Sequence, residues 1–493
     1  MYEFSSLIRV LLNKYPQASS IAMANLLDDS ESSRNLSDLE VSSSDGQEAA
    51  LQVNKLPPEL LVYIFEIARN MLLPSERSFR HFPFVLGGVS RYWRQVVFGT
   101  PMLWSNVDFS HPRDLTVLRT YLDRSKDYPI DLHFTYDITF TQDEEADPSK
   151  VDQIIGILQP HYFHCRSIRL SCWTYPQDAP EMVTSFLESM RDGHYPMLQS
   201  FLVEGDEMYH AIEPCAILND APSLTNVRLG GLGLSYCRPP LNAVTELHLA
   251  VTGSVIPYTE FSKMLRSCES LITLCIYDDL VYPWPSGQPL IHTPSLRCLR
   301  IFGNMTGVSE FLLSISVPDL EELTIAPIDP GDLIILQEDI SHNTPRFLAL
   351  KSLTLAPVHA HAMQQTLGPA SICFPGIELL ILPKYYSKFL LLSFMTDNFD
   401  EAAPLWPELH TLAVRDIDGS YNQNVLYEFV EERQRLGVPL GALYLDSSSV
   451  PRMTRIDWLK EQLSVVEADP WRIQCEDAFY SEDEDRFLGS GSK

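Results

Sequence analysis

One spacing recurs along most of this chain and limits what it can fold into: an apolar residue at position n, another at n+3 and another at n+5. It occurs at Cys165/Ile168/Leu170, Leu198/Phe201/Val203, Leu224/Val227/Leu229 and Val244/Leu247/Leu249. It continues at Leu271/Leu274/Ile276, Leu296/Leu299/Ile301, Leu320/Leu323/Ile325 and Leu350/Leu353/Leu355, and closes at Ile377/Leu380/Leu382, Leu409/Leu412/Val414 and Leu440/Leu443/Leu445. Steps between successive starts run from 20 to 33 residues. Residues n+3 and n+5 are two apart, so on a strand they share a face and point into a core. Proline introduces several units (Pro222, Pro294, Pro318, Pro375, Pro407), where a residue without an N–H suits the approach to a strand. Weaker relatives precede at Trp104/Val107/Phe109 and Leu132/Phe134.

Between many of these strands the apolar spacing turns helical. Phe261/Met264/Leu265, Phe311/Leu312/Ile315, Leu333/Leu336/Ile340 with Asp332 as N-cap, and Leu426/Phe429/Val430/Leu436 each mark one helical face. After residue 455, Ile456, Leu459, Leu463 and Val466 predict a closing helix, flanked by Trp458 and Trp471, that caps the last unit. Strand then helix, repeated at this period, resembles the leucine-rich-repeat architecture, in which no unit buries its own apolar face and neighbours stack into a solenoid. The other α/β arrangement with this alternation is an ordinary sheet with crossover helices. The Asn usual just past such strands occurs only at Asn304; Asp206, Asp279, Leu232 and Tyr385 stand elsewhere, which implies irregular repeats with longer connections. In leucine-rich folds the strand residues at n+2, n+4 and n+6 face a partner. That resemblance makes Arg228, His248, Tyr277, Arg300, Phe302 and Arg415 the expected client-binding residues.

Ahead of the repeats, residues 56–70 read LPPELLVYIFEIARN, and FPFVLGGVSRYWRQVVFGTPMLW follows after a linker. Leu60, Leu61, Ile64, Phe65 and Ala68 form a helical stripe; Pro57 and Pro58 suit a first turn, and Glu59 suits its positive end. Val85, Val89, Trp93 and Val96 or Val97 predict a second helix, weakened by Gly87-Gly88. Neither helix carries a catalytic set. The blocks Leu56-Pro57-Pro58-Glu59-Leu60-Leu61, Ile64-Phe65, Val89-Ser90-Arg91, Trp93-Arg94, Pro101 and Leu103-Trp104 resemble, in order and spacing, an F-box of the kind abundant in fungi. The resemblance implies a three-helix module that docks on the Skp adaptor of an SCF-type ubiquitin ligase, reached through a cullin-RING arm. It assigns that contact to Leu56, Pro57, Leu60, Ile64, Phe65, Val89 and Trp93. The whole would be a substrate-recognition adaptor in the ubiquitin-conjugation pathway, with a non-enzymatic leucine-rich scaffold outside ubiquitin transfer as the alternative.

Composition limits the remaining classes. Acidic residues number 65 against 36 Lys plus Arg, a formal charge of −29, which repels nucleic acid and anionic membrane. No stretch approaches the roughly 20 apolar residues of a membrane span. The nine cysteines show no CxxC spacing and several sit in strand-like runs, so reduced thiols and a cytoplasmic or nuclear setting are expected. His359/His361 and His161/His164 lack further ligands at metal spacing apart from Cys165 beside His164, no P-loop, GxSxG or GxGxxG follows a strand, and no catalytic residue, metal or cofactor is expected. The expected organisation is an acidic, Ser-rich disordered segment over 1–50 with a short amphipathic helix, the F-box-like module over 51–104, the repeats and cap over 105–470, and an acidic tail over 471–493.

Overall fold

The computed structural model describes residues 56–70, 82–110, 115–137, 148–173, 180–205, 214–251, 255–285, 287–303, 307–342, 346–357, 364–382, 404–414, 417 and 419–467. The two polar tails, the linker between the first two helices, His359, His361, Asn304, Arg415, Trp471 and Cys475 lie outside them. The chain divides into two units, Met1–Phe201 with Ile217–Ser223, and Leu202–Ala216 with Leu224–Lys493.

In the first unit, helices α1 (Pro58–Asn70), α2 (Phe82–Val89) and α3 (Arg91–Gly99) lead into a 3-10 turn at Pro101–Trp104. Strand β1 (Asn106–Ser110), α4 (Leu115–Ser125), β2 (Ile130–Asp137), α5 (Pro148–Leu158), β3 (Cys165–Trp173) and α6 (Pro180–Ser189) follow, with β1–β2 and β2–β3 parallel. The expected second helix is two. Ser90 is fully extended (φ −157°, ψ 165°) and its Oγ accepts from the Trp93 N–H, so it caps α3 and breaks the chain from α2. Arg94 Nε donates to Gly87 O at 3.0 Å and ties the two sides of that elbow. Trp104 anchors the core: it is fully buried, its indole N–H donates to Val97 O at 2.9 Å, and its ring meets Phe84 and Tyr121 edge-on at 5.3 and 5.2 Å.

Eleven strands, β4 (Ser200–Gly205), β5 (Asn226–Gly230), β6 (Glu246–Ala250), β7 (Thr273–Tyr277), β8 (Cys298–Phe302), β9 (Glu322–Ile328), β10 (Ser352–Pro357), β11 (Leu379–Leu382), β12 (Thr411–Val414), β13 (Ala442–Leu445) and β14 (Ser464–Glu467), lie side by side in chain order. The last four residues of β4 open the second unit. From β5 onward every neighbouring pair is parallel, and the order is linear rather than closed into a barrel. The connections carry α7 (Leu232–Tyr236), α8 (Tyr258–Ser267), α9 (Val308–Ser314), α10 (Pro330–His342), α11 (Gln364–Cys373), α12 (Gly419–Arg435) and α13 (Ile456–Gln462). The chain is therefore mixed α/β with a large parallel sheet. No helix among the described residues is long and apolar enough to cross a membrane.

The n, n+3, n+5 spacing builds the core. Leu247, Leu274, Leu299, Leu323, Leu353, Leu380, Leu412 and Leu443 stand in one register across the strands. Every residue at the three positions is at most 4 % exposed. Each such burial contributes roughly 1.5–3 kcal/mol, so these columns dominate the stability of the sheet.

Backbone hydrogen bonds join the units at the entry to each strand. The N–H groups of residues n+1 and n+2 both donate to the carbonyl of residue n+1 in the preceding unit. The seams are Thr245 and Glu246 to Thr225, Ile272 and Thr273 to Thr245, Arg297 and Cys298 to Ile272, and Glu321 and Glu322 to Arg297. They go on through Lys351 and Ser352 to Glu321, Glu378 and Leu379 to Lys351, His410 and Thr411 to Glu378, and Gly441 and Ala442 to His410, all at 2.7–3.1 Å. The backbone groups entering each strand are thus satisfied without a dedicated side chain.

Two local expectations change. Asp332 lies inside the first turn of α10 rather than capping it; its Oδ1 accepts from the N–H and hydroxyl of Ser309, at 3.0 and 2.7 Å, and so caps the neighbouring α9. Closing helix α13 stops at Gln462, and Val466 lies on β14, because the segment after Leu463 extends the sheet by pairing with β13. Trp458 meets Tyr427 edge-on at 5.6 Å.

Candidate docking surfaces

Helix α1 is apolar on two faces. Leu61, Phe65 and Ala68, at i, i+4 and i+7, are buried and carry the core of the module. Leu60, Tyr63, Ile64 and Ile67 form a second stripe at i, i+3, i+4 and i+7; Leu60 is 51 % and Tyr63 60 % exposed, and the two isoleucines are half-buried. Tyr92 Oη donates to Leu56 O at 2.5 Å, which brings the start of α3 against the start of α1. Val89, 44 % exposed, stands at the elbow just before it.

Of the expected docking residues, Pro57, Leu60 and Val89 are exposed and Leu56 and Ile64 half-buried. Phe65 and Trp93 are corrected: they are 0 % and 3 % exposed and pack ring on ring at 4.8 Å, so they hold α1 to α3 rather than face a partner. Tyr63 belongs to the surface and was missed. Its place three residues after Leu60 was the available signal, but the Leu61/Phe65 stripe drew attention to the opposite face.

The expected client residues need a larger correction. Arg228, His248, Tyr277 and Phe302 are at most 5 % exposed, Arg300 is half-buried, and Arg415 lies outside the described residues. The cause is lateral packing. In the parallel register Ala250, Tyr277, Phe302 and Ala326 stand abreast, and the Tyr277 ring stacks on Phe302 at 5.4 Å and on His248 at 6.2 Å. Together with Leu202, Cys275 and Ala356 these residues form a second apolar cluster, on the sheet face opposite the leucine columns. Exposure on that face begins one pleat earlier, at the half-exposed Asn226, Glu246 and Thr273.

A polar network lies beside this cluster. Glu246 Oε2 accepts from Asn226 Nδ2 at 2.8 Å, and its Oε1 pairs with His248 Nε2 at 2.7 Å. Tyr277 Oη is 3.4 Å from His248 Nδ1, which suits a neutral ring donating through Nε2 and accepting at Nδ1. The His248 hydrogen bond, opposed by burial, holds the Glu246 carboxyl below its ordinary range. Burial takes His248 down to about 4, against the lesser pull of Glu246. The unfolded chain therefore binds a proton near pH 6.5 that the folded one refuses until about pH 4. The stability from neutral His248 is complete above pH 6.5 and is lost as pH falls toward 4, a change on the order of 3 kcal/mol. Urea midpoints measured across this window should fall with acid in the native chain and flatten in His248→Gln.

His161 and His164 meet edge to face at 5.3 Å, and burial, the main cause at each, lowers both so that neutral rings are favoured. Among the described residues no three His, Cys, Asp or Glu groups gather as metal ligands, and the eight described cysteines are free thiols. No family model matches this sequence, and no curated protein matches it either.

Proposed function

We propose that this chain is a substrate-recognition adaptor of an SCF-type ubiquitin ligase. In this reading the three-helix module is an F-box, the α1 stripe with Val89 docks on the Skp adaptor, and the parallel strand–helix array is an irregular leucine-rich-repeat-like solenoid that holds a client protein. The observation that carries the reading is the second apolar stripe of α1, left uncovered while its neighbours Leu61 and Phe65 complete the module's own core. An apolar helix face at i, i+3, i+4 spacing is what a hydrophobic groove accepts. The adaptor performs no bond chemistry; it raises the concentration of client lysines near a ubiquitin-loaded enzyme. With Arg228, His248, Tyr277 and Phe302 closed off, client contact falls to the half-exposed n+2 row, which includes Asn226, Glu246, Thr273 and Thr411.

Leu60→Asp with Tyr63→Asp is the test. Both side chains are more than half exposed, so the fold should melt within a degree or two of the native chain. Losing two anchors of roughly 1.5–3 kcal/mol each should weaken capture of the Skp adaptor by about 100-fold or more. Unchanged capture in a pull-down would remove the docking assignment. Capture that is lost while client half-life stays constant would leave a scaffold outside ubiquitin transfer. Point variants are preferred to deleting 51–104, because Phe84 and Trp104 also pack on Tyr121 of α4.

A further inference from the structure

Apolar side chains point outward on two neighbouring helices of the array. On α10, Leu333 and Leu336 are buried while Ile334 and Ile335 between them are 46 % and 44 % exposed. On α11, Leu367, Ala370 and Cys373 are buried while Ile372 is 50 % exposed. A helix that only covers its own core carries polar residues on its outer face, so three outward isoleucines on adjoining helices mark a contact surface. Cys373 Sγ donates to Leu333 O at 3.6 Å, which sets the turn carrying Ile372 beside the turn carrying Ile334. One turn before Ile372, a side chain at Gly368 would meet nothing within 4 Å, so open space lies over α11 next to these residues. The charge of this face has one sign. Helices α9, α10 and α11 contain no Lys or Arg, and their carboxylates are Glu310, Asp332, Glu338 and Asp339. Glu338 is exposed one turn along α10 from the isoleucines, Asp329 is exposed just before the helix, and Glu310 adjoins the first turn of α10 through Ser309. Arg346, just past α10, serves Asp339 at 3.1 Å and Leu313 O at 3.3 Å.

We propose that the outer face of α10 and α11 docks a cationic amphipathic helix of a partner protein. Its apolar side chains lie on Ile334, Ile335 and Ile372 and enter the space over Gly368, and its Lys or Arg residues meet Glu338, Asp329 and Glu310. Charge selects this occupant. A second copy of the chain would set acid against acid, with −29 on each molecule, and an anionic membrane is repelled for the same reason. The site shares no residue with the α1 stripe or the n+2 row, so it does not depend on the adaptor reading.

The experiment titrates the full chain into a fluorescein-labelled Leu/Lys peptide about as long as α10, with Leu at i, i+3, i+4 and i+7, at physiological ionic strength. A shuffled peptide of the same composition and an acidic version with Glu for Lys are the controls, all read by anisotropy. Saturable binding is expected, about tenfold tighter than to the shuffled peptide, with the acidic version weakest. Ile334→Ser with Ile335→Ser should weaken it about tenfold or more, and Glu338→Lys should weaken it too. Should the serine variant fold poorly, Gly368→Gln favours the helix while filling the space over α11, and should weaken binding about as much. Leu60→Asp with Tyr63→Asp should bind as the native chain does, which keeps this site distinct from α1. The proposal is overturned if the shuffled or acidic peptide binds as tightly, if the folded α10 or α11 variants bind like the native chain, or if the α1 variant loses binding. It is also overturned if sedimentation shows a native dimer that Ile334→Ser with Ile335→Ser dissociates, since the face would then belong to a second copy.

Discussion

Arg433→Met lowers the stability of the second unit by about 3–5 kcal/mol, one of the two largest effects expected from single side chains. Arg433 comes from α12, is 3 % exposed, and spends its guanidinium on four backbone carbonyls. Nε donates to Val438 O at 3.0 Å, Nη1 to Leu405 O at 3.1 Å, and Nη2 to Trp406 O and Leu409 O at 3.1 and 3.0 Å. Burial lowers its pKa only to about 10, so it remains charged at neutral pH. The Met stem refills the volume but offers no donor. Trp406 O keeps the Leu409 N–H, while the buried Leu409 carbonyl loses this donor at a cost of roughly 1–3 kcal/mol and the half-buried Val438 and Leu405 residues each lose a charged donor. Arg433→Lys keeps the charge but not the planar fork and should recover less than half of the loss. Hydrogen exchange of the α12 amides, compared between native chain and variant, reads the effect locally.

Trp104→Ala has the second large effect, in the first unit. It removes the ring that Phe84 and Tyr121 meet edge-on and that Arg124 approaches at 5.3 Å, together with the donor to Val97 O. A cavity of this size costs roughly 3–5 kcal/mol, and Trp104→Phe should restore about half. Both variants should lose Skp-adaptor capture in proportion to the folded fraction. That separates them from Leu60→Asp with Tyr63→Asp, which acts on a folded module. Thermal unfolding and pull-down on the same samples make the distinction.

The leucine columns were legible because a two-residue alternation with buried apolar positions has one simple solution, a strand with one face in a core. The opposite face was not legible from alternation. Nothing in the local sequence around Tyr277 or Phe302 says that their rings will lie in register on neighbouring strands and close over each other; that follows only from the pairing of β7 with β8. The α1 surface was half readable. Leu60 was identified, but Phe65 and Trp93 carry equally strong apolar signals, and only their contact with each other tells core from surface. At the elbow, the Ser90 hydroxyl was the relevant signal, and Gly87-Gly88 diverted attention from it. Asp332 failed as an N-cap because its acceptor is used across space by Ser309, a pairing that sequence spacing does not reveal.

The seams between units carry a consequence for how this protein can change. Each new strand is received by a peptide carbonyl, and every residue type offers one at the same place. To its successor's incoming strand, then, one unit presents the same backbone joint as the next. Excising or duplicating a whole cassette rejoins the same backbone joints, and what has to be rebuilt is the side-chain matching across them, as where Ser309 meets Asp332 and Tyr277 meets Phe302. The backbone thus leaves the number of cassettes free to drift, within the limits that these side-chain matches set.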